Sequence, residues 1–254
     1  MTDKWFDDKM NTRRLRTYTR NQIDPPPFQN FQKFLRQYSV TTWLIIINII
    51  SFIIILLLSA TLNPEEIYQY LAIQPTLFFS GYFWTLITSM FVHANFTHLF
   101  VNMVSLFFIG NFIEKLIGRK RYFWLYMVSG IVAGLFFVFL AFYLGSTNPD
   151  SFAYRTFGSP EIFAVGASGA IFALGGLLAI LTPKLKVYVF FIFPMQMWLA
   201  MLVLLLVLWA ASIGAGLPFG NTAHLGGLLI GVFYAFYLKK KYKRKTIMIQ
   251  KYFS

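Results

Sequence analysis

The sequence predicts an all-α polytopic membrane protein with six transmembrane helices and both termini in the cytoplasm. Three observations lead there. The 254 residues are 57% hydrophobic and 20% aromatic, with a mean hydropathy of +0.62 and only 12% charged, where soluble domains average about a quarter charged. The apolar residues gather into six blocks, at 42–60, 95–114, 122–144, 162–182, 187–210 and 222–238, each near the length that crosses a hydrocarbon core of about 30 Å. The net charge of +13 follows these blocks: eight Lys and Arg precede the first, four lie between the second and third, two between the fourth and fifth, and seven follow the sixth. Only Arg155 falls in the alternate loops. Cytoplasmic loops gather Lys and Arg, so both termini and those two short loops face the cytoplasm. A nucleic-acid protein would carry its charge on one folded face, and is excluded as a partner reading on that ground.

Taken in order, residues 1–40 read as a basic cytoplasmic N-terminal segment. It contains PPP at 25–27, and FQNFQKFLRQY (28–38) suits a short interfacial helix. About forty residues precede the first apolar block and no small-residue cleavage site follows it, which argues against a signal peptide. RRLRTYTR has the look of a mitochondrial leader, but Asp3, Asp7, Asp8 and Asp24 count against one. Residues 41–238 form the six-span domain and 239–254 a basic cytoplasmic tail. The outer loop 61–94 is long and aromatic and is expected to dip into the interface; 145–161 reads as ordinary polar loop. Residues 211–221 (ASIGAGLPFGN) have the Gly/Pro composition of a flap. Pro194, inside the fifth block, is expected to weaken or kink that helix. With no cysteine, disulfides and thiolate metal sites are ruled out.

Ionisable groups are costly in a bilayer, so those found there are functional candidates. Apart from Glu114 at the inner end of the second block, no Asp or Glu lies within a block. Paired-aspartate proteases, His-Glu-x-x-His zinc proteases and proton-coupled transporters all lose their main support. What remains is His98 and Asn102 in HANFTHLFVN, Ser168 in AVGASGAIFALGG and His224 in NTAHLGGLLIGVF. Counted at 1.5 Å per residue from the basic anchor of each helix, Asn102, Ser168 and His224 lie about 26, 24 and 22 Å away. Three helices therefore bring polar groups to one depth. His98 sits one turn above Asn102 on the same face.

Gly166, Gly169, Gly175 and Gly176 on the fourth block, and Gly226, Gly227 and Gly231 on the sixth, allow close helix approach. A Ser–His hydrogen bond needs that closeness. A serine hydroxyl becomes a nucleophile when a base takes its proton, and His224 is the base at that depth. Asn102, His98 and the Ser168 amide are donors for the charge that develops on a carbonyl oxygen. With no carboxylate to orient His224, the expectation is a Ser–His dyad, not a triad. Each residue also has an ordinary explanation: Ser168 in packing, His224 in a helix–helix hydrogen bond. His93 could join His98 and His224 in a three-histidine metal site, but His93 and His98 diverge by about 140° on a helix. No metal and no cofactor are expected.

These residues carry a resemblance. HANFTHLFVN on the second span, GASG on the fourth and AHLGGLLIG on the sixth are similar to the motifs of the rhomboid family of intramembrane serine proteases, over about residues 42–238. The resemblance implies a rhomboid-like bundle with Ser168 as nucleophile, His224 as base, and His98 and Asn102 lining an oxyanion hole. It gives His93 a supporting role and makes Gly227 and Gly231 the glycines that seat the sixth span on the fourth. Glu114 and Gly118 become a structural pair, 61–94 a membrane-embedded loop and 211–221 a cap over a water-filled cavity. Two departures stand out. Many members have Trp-Arg in the first outer loop, where this chain has Trp84-Thr85. Many have Tyr four residues after the serine, where this chain has Phe172, which keeps the stacking on histidine and loses the hydroxyl.

The implied partners are the lipid bilayer and single-span transmembrane protein substrates, cut in or near the span where the helix can unwind. The short leader and six-span core suit a prokaryotic inner or plasma membrane. A rhomboid-like binder without catalysis is the alternative from another class; such proteins lack the serine or the histidine, and this chain has both.

Overall fold

The structure is a computed structural model that describes residues 37–189, 192–216 and 220–253. The interfacial helix expected over 28–38 lies outside the described residues but for its last two. Helix α1 (Val40–Leu58) starts at Ser39, whose hydroxyl accepts the Thr42 N–H. Its outward face carries Ile50, Ile53, Leu56 and Leu57, all exposed, as suits a helix with lipid beside it. The outer loop is built of α2 (Pro64–Leu71), α3 (Pro75–Phe79), α4 (Thr85–Thr88) and a 3₁₀ turn, Ser89–Phe91. Next comes α5 (Phe96–Ser105), a π turn (Leu106–Gly110) and α6 (Asn111–Ile117), together one apolar rod. Gly118, at φ +88°, turns the chain at a single residue into α7 (Arg119–Leu144). Few side chains tolerate that backbone region, so glycine is required there.

After α8 (Phe152–Phe157) comes α9 (Ser168–Leu181), in which all residues but Ser168 and Ile180 are buried. An antiparallel hairpin, β1 (Lys186–Val189) and β2 (Phe193–Gln196), leads into α10 (Met197–Ala215). Then follow α11 (Asn221–Lys241) and α12 (Lys243–Tyr252). Helix α9 is the centre of the molecule, packed chiefly on α11 and α7. Its leucines Leu174, Leu177, Leu178 and Leu181 join Tyr122, Tyr126, Met197 and Leu238 in the main core.

Five of these rods are long and apolar enough to cross a membrane: α1, α5–α6, α7, α10 and α11. The fourth block is different. It is helical only from Ser168, and α9 has 14 residues, about 20 Å. Residues before it are extended, with Ile73 and Ala164 forming an isolated bridge. Thr182 closes the other end, its hydroxyl donating to the Leu178 carbonyl at 3.1 Å, and Pro183 follows. The helix is therefore shorter than the five rods around it.

Four further expectations are corrected. The molecule is not purely α-helical: the start of the fifth block is the β1–β2 hairpin. Pro194 lies in β2, opposite Tyr188, and does not kink a span, because the helix begins only at Met197. The 145–161 loop contains α8, held to α10 by Trp209 Nε1 donating to the Thr156 carbonyl at 3.0 Å and by Arg155 Nη1 donating to Ile213 at 3.3 Å. The 211–221 flap is shorter than expected, since α10 runs to Ala215 and ends at Gly216 in the left-handed conformation.

Glu114 shows why one acid persists at the end of an apolar rod. Its carboxylate accepts the N–H groups of Val40 (2.8 Å) and Thr41 (2.9 Å) and the Thr41 hydroxyl (2.9 Å). Arg119 approaches it at 3.7 Å. A negative group thus satisfies the open donors at the start of α1. Replacing Glu114 by Gln puts an amide N–H₂ against these donors. The cost is expected at about 2 kcal/mol, and the apparent unfolding midpoint in detergent should fall by roughly 4–8 °C. An unchanged midpoint by scanning fluorimetry would remove this role for Glu114.

Candidate active site

Ser168 is the first residue of α9, and no side chain caps that end. The first-turn N–H groups, including that of Ser168, have no intrahelical acceptor. The chain reaches this point through Gly166, at φ +121°, whose N–H donates to the Ser89 carbonyl at 2.8 Å. His224 is on the first turn of α11, its N–H bonded to the Gly220 carbonyl at 2.9 Å. The two side chains meet: His224 Nε2 is 2.8 Å from Ser168 Oγ. The ring stacks on Phe172, one turn below Ser168, with centroids 4.3 Å apart and planes 13° from parallel. His224 Nδ1 is buried and has no hydrogen-bond partner among the described residues. Among the described residues the imidazole is therefore held by ring packing and the Ser168 contact, with no acid bonded to Nδ1.

The closeness depends on missing side chains. A Cβ on Gly227 would collide with the carbonyl oxygen of Gly169, the residue after Ser168. One turn further on, a Cβ on Gly231 would collide with the Ala173 carbonyl. On the other flank, a Cβ on Gly169 would press on Ala133 of α7 at 2.6 Å. Backbone lies directly on backbone where α9 meets α11, and this lets short side chains span the gap.

His98 and Asn102 stand on α5, whose start is capped by Asn95, its side-chain oxygen accepting the His98 N–H at 2.9 Å. The His98 ring faces the serine across Gly166. A Cβ there would be 2.8 Å from His98 Nε2 and 3.7 Å from Ser168 Oγ. Asn102 is buried and turns its amide back on its own helix, Nδ2 donating to the His98 carbonyl at 2.8 Å. Its Oδ1 has no partner, and it does not line the cavity. His93 is also buried, both ring nitrogens without a described partner, with its ring edge-on to His98 at 5.1 Å. Burial, and then the neighbouring His98, hold its pKa below the ordinary imidazole value. No group of three potential ligands close enough to hold a metal occurs among the described residues.

Ser168, His224 and His98 open onto a cavity of about 890 Å³. Its far wall comes from Gly130, Ala133, Gly134 and Phe137 of α7, from residues 154–157 of α8 and from Gly158 after it. Sequence reasoning missed α8 as cavity wall and Asn95 as cap. The first left no signal beyond a Ser151 start; the second was legible as Asn just before an apolar helix. The outer loop is anchored without an arginine. Trp84 Nε1 donates to the Tyr70 carbonyl at 2.9 Å and the Thr88 hydroxyl to Leu71 at 2.8 Å. Thr85 is buried, its hydroxyl donating to Tyr82 at 2.6 Å.

Comparison with known proteins adds a second line. A family model described as "Rhomboid domain" matches residues 80–241. The chain is similar to "Rhomboid protein 1, mitochondrial" of Saccharomyces cerevisiae, 32% identical over 63% of this chain and 43% of that protein. It is similar to "Putative rhomboid protease YdcA" of Bacillus subtilis, 31% identical over 58% of this chain and 65% of the relative. It is similar also to "Rhomboid protease AarA" of Providencia stuartii, 30% identical over 76% and 70%. The chain spans about half the length of several curated relatives it matches.

Proposed function

We propose that this chain, which belongs to the rhomboid family, is an intramembrane serine protease that hydrolyses peptide bonds in or near the transmembrane segments of single-span proteins. The observation that carries the reading is the 2.8 Å contact of Ser168 Oγ with His224 Nε2 at the wall of an 890 Å³ cavity. Relatives named as rhomboid proteases support it.

In this reading Ser168 Oγ attacks the scissile carbonyl carbon as its proton passes to His224 Nε2. The resulting oxyanion takes hydrogen bonds from the Ser168 N–H and from His98, and from Asn102 once its amide turns from the His98 carbonyl toward the cavity. His224 then gives its proton to the departing amine, and the acyl group stays on Ser168. A water loses a proton to Nε2 and attacks the ester; collapse returns that proton to Oγ and frees the new carboxylate. Phe172 holds the imidazole plane throughout, and His93 backs the His98 ring. Gly166, Gly169 and Gly227 keep the three helices within reach of one another.

The same reading makes α9 the sixth crossing, completed by the extended residues before it, with both termini on the basic, cytoplasmic side. Residues 41–238 are the catalytic unit, flanked by basic segments 1–40 and 239–254. In this reading the dyad lies beneath the outer surface and water reaches it through the cavity that Ser168 and His224 line. The relatives include a mitochondrial protein and plant proteins as well as bacterial ones, so kinship supports a membrane location without favouring the prokaryotic membrane expected from the sequence.

A serine-reactive fluorophosphonate tests the assignment. Folded wild-type protein should label in proportion to probe, and Ser168→Ala should not label at all. Equal labelling of the two would remove Ser168 as nucleophile; a wild type that is folded yet inert to the probe would favour a non-catalytic binder.

A further inference from the structure

A second concavity, of about 450 Å³, lies between α7 and α11 and shares no lining residue with the Ser168 cavity. Its walls are Lys120, Arg121, Trp124, Leu125, Val128, Ile230 and Tyr234. The α7 contribution follows one helical face, so cationic groups sit at one end and apolar side chains continue for about 12 Å below them. Trp124 and Val128 are exposed, and so are Phe123, Phe233 and Phe236 on the surrounding surface. An exposed apolar surface of this kind on two helices long enough to span suits contact with hydrocarbon.

The cationic end is built, not merely basic. Arg121 Nη2 donates to the Tyr242 hydroxyl at 2.8 Å. The Tyr242 ring has Arg121, Lys241 and Lys245 within 5.3, 5.4 and 5.6 Å. Residues 115–121 and 239–251 hold eleven Lys and Arg. Glu114 is the one described carboxylate at this end, and its oxygens face the start of α1. Positive charge brought together in this way is stabilised by an anion held close to it.

We propose that this groove binds one anionic glycerophospholipid from the leaflet on the basic side. Its phosphate meets Lys120 and Arg121, and an acyl chain lies along Trp124, Val128 and Ile230. A zwitterionic lipid fills the apolar part equally well but brings its own cation to the lysine end, which sets the preference. The site is independent of whether the chain cleaves anything.

The test is native mass spectrometry of the full chain in nonionic detergent, with dioleoylphosphatidylglycerol, dioleoylphosphatidylcholine and inorganic phosphate as probes. One phosphatidylglycerol should be retained in clear preference to phosphatidylcholine, and phosphate at equal concentration should not displace it. Lys120→Gln should weaken retention roughly fivefold, the effect of one cation near an anionic surface. Val128→Trp should weaken it with no change of charge, and Lys184→Gln, exposed and outside the cationic cluster, should leave it unaltered. Equal retention of the two lipids, equal loss in Lys120→Gln and Lys184→Gln, or displacement by phosphate would each overturn the proposal.

Discussion

His224→Ala should lower the single-turnover rate of cleavage of a model transmembrane substrate by about 10⁴-fold or more, the scale seen when the base of a serine–histidine pair is removed. The reason is that, among the described residues, His224 Nε2 is the base within hydrogen-bond reach of Ser168 Oγ, at 2.8 Å. The substitution also empties a ring-sized space stacked on Phe172, and that space adjoins the Ser168 cavity. Added imidazole should therefore restore part of the lost rate, with a dependence on pH that follows its unprotonated fraction. A histidine that only packs helices together would show loss without such rescue. If His224→Ala cleaves as fast as wild type, the proton transfer assigned to it does not occur.

Much of this was legible in the sequence, for reasons particular to each element. Long apolar blocks bounded by basic residues need only composition to be seen, and α1, α7 and α11 match their blocks within a few residues at each end. The neighbourhood of Ser168 and His224 was legible because polar residues are rare against an apolar background and because glycine at 227 and 231 leaves backbone to meet backbone. What hydropathy hid is the difference between an apolar strand and an apolar helix. KVYVFFIFPM is as greasy as the helix after it, and short apolar runs carry no decisive period. The β-branched and aromatic residues Val187, Tyr188, Val189 and Phe193, with Pro194 among them, were the available strand signal.

The short α9 was hidden for a related reason. EIFAVGASG continues the apolar run, and only Gly166, whose positive φ excludes most side chains, marks where the helix cannot extend upward. The roughly 24 Å measured from Ser168 to Lys184 assumed helix throughout, whereas α9 ends at Leu181. Asn102 shows the other kind of limit. Spacing put it on the His98 face, and it is there, but its amide bonds back to the His98 carbonyl. No periodicity argument reports which way a side-chain amide turns.

Gly227→Ala should abolish cleavage while the chain still inserts and folds, and this follows from where the added methyl lands. In the structure its Cβ would overlap the Gly169 carbonyl oxygen, which belongs to backbone and cannot rotate away. Helices α9 and α11 must then separate or slide. Gly169 follows Ser168 directly and Gly227 is three residues from His224, so the displacement falls on the dyad itself. An opening of about 1 Å takes Oγ and Nε2 out of hydrogen-bond reach and costs on the order of 100-fold in rate or more. Overpacking of this kind costs a further 1–3 kcal/mol or so of stability. Gly214→Ala is the control, since nothing lies within 4 Å of the Cβ it would add, and it should leave rate and melting temperature near wild type. The discriminating result is the pair of readings on Gly227→Ala: activity gone, with a melting temperature lowered by only a few degrees. Wild-type activity in Gly227→Ala would mean that the close seating of α11 on α9 does not govern the distance between Ser168 and His224.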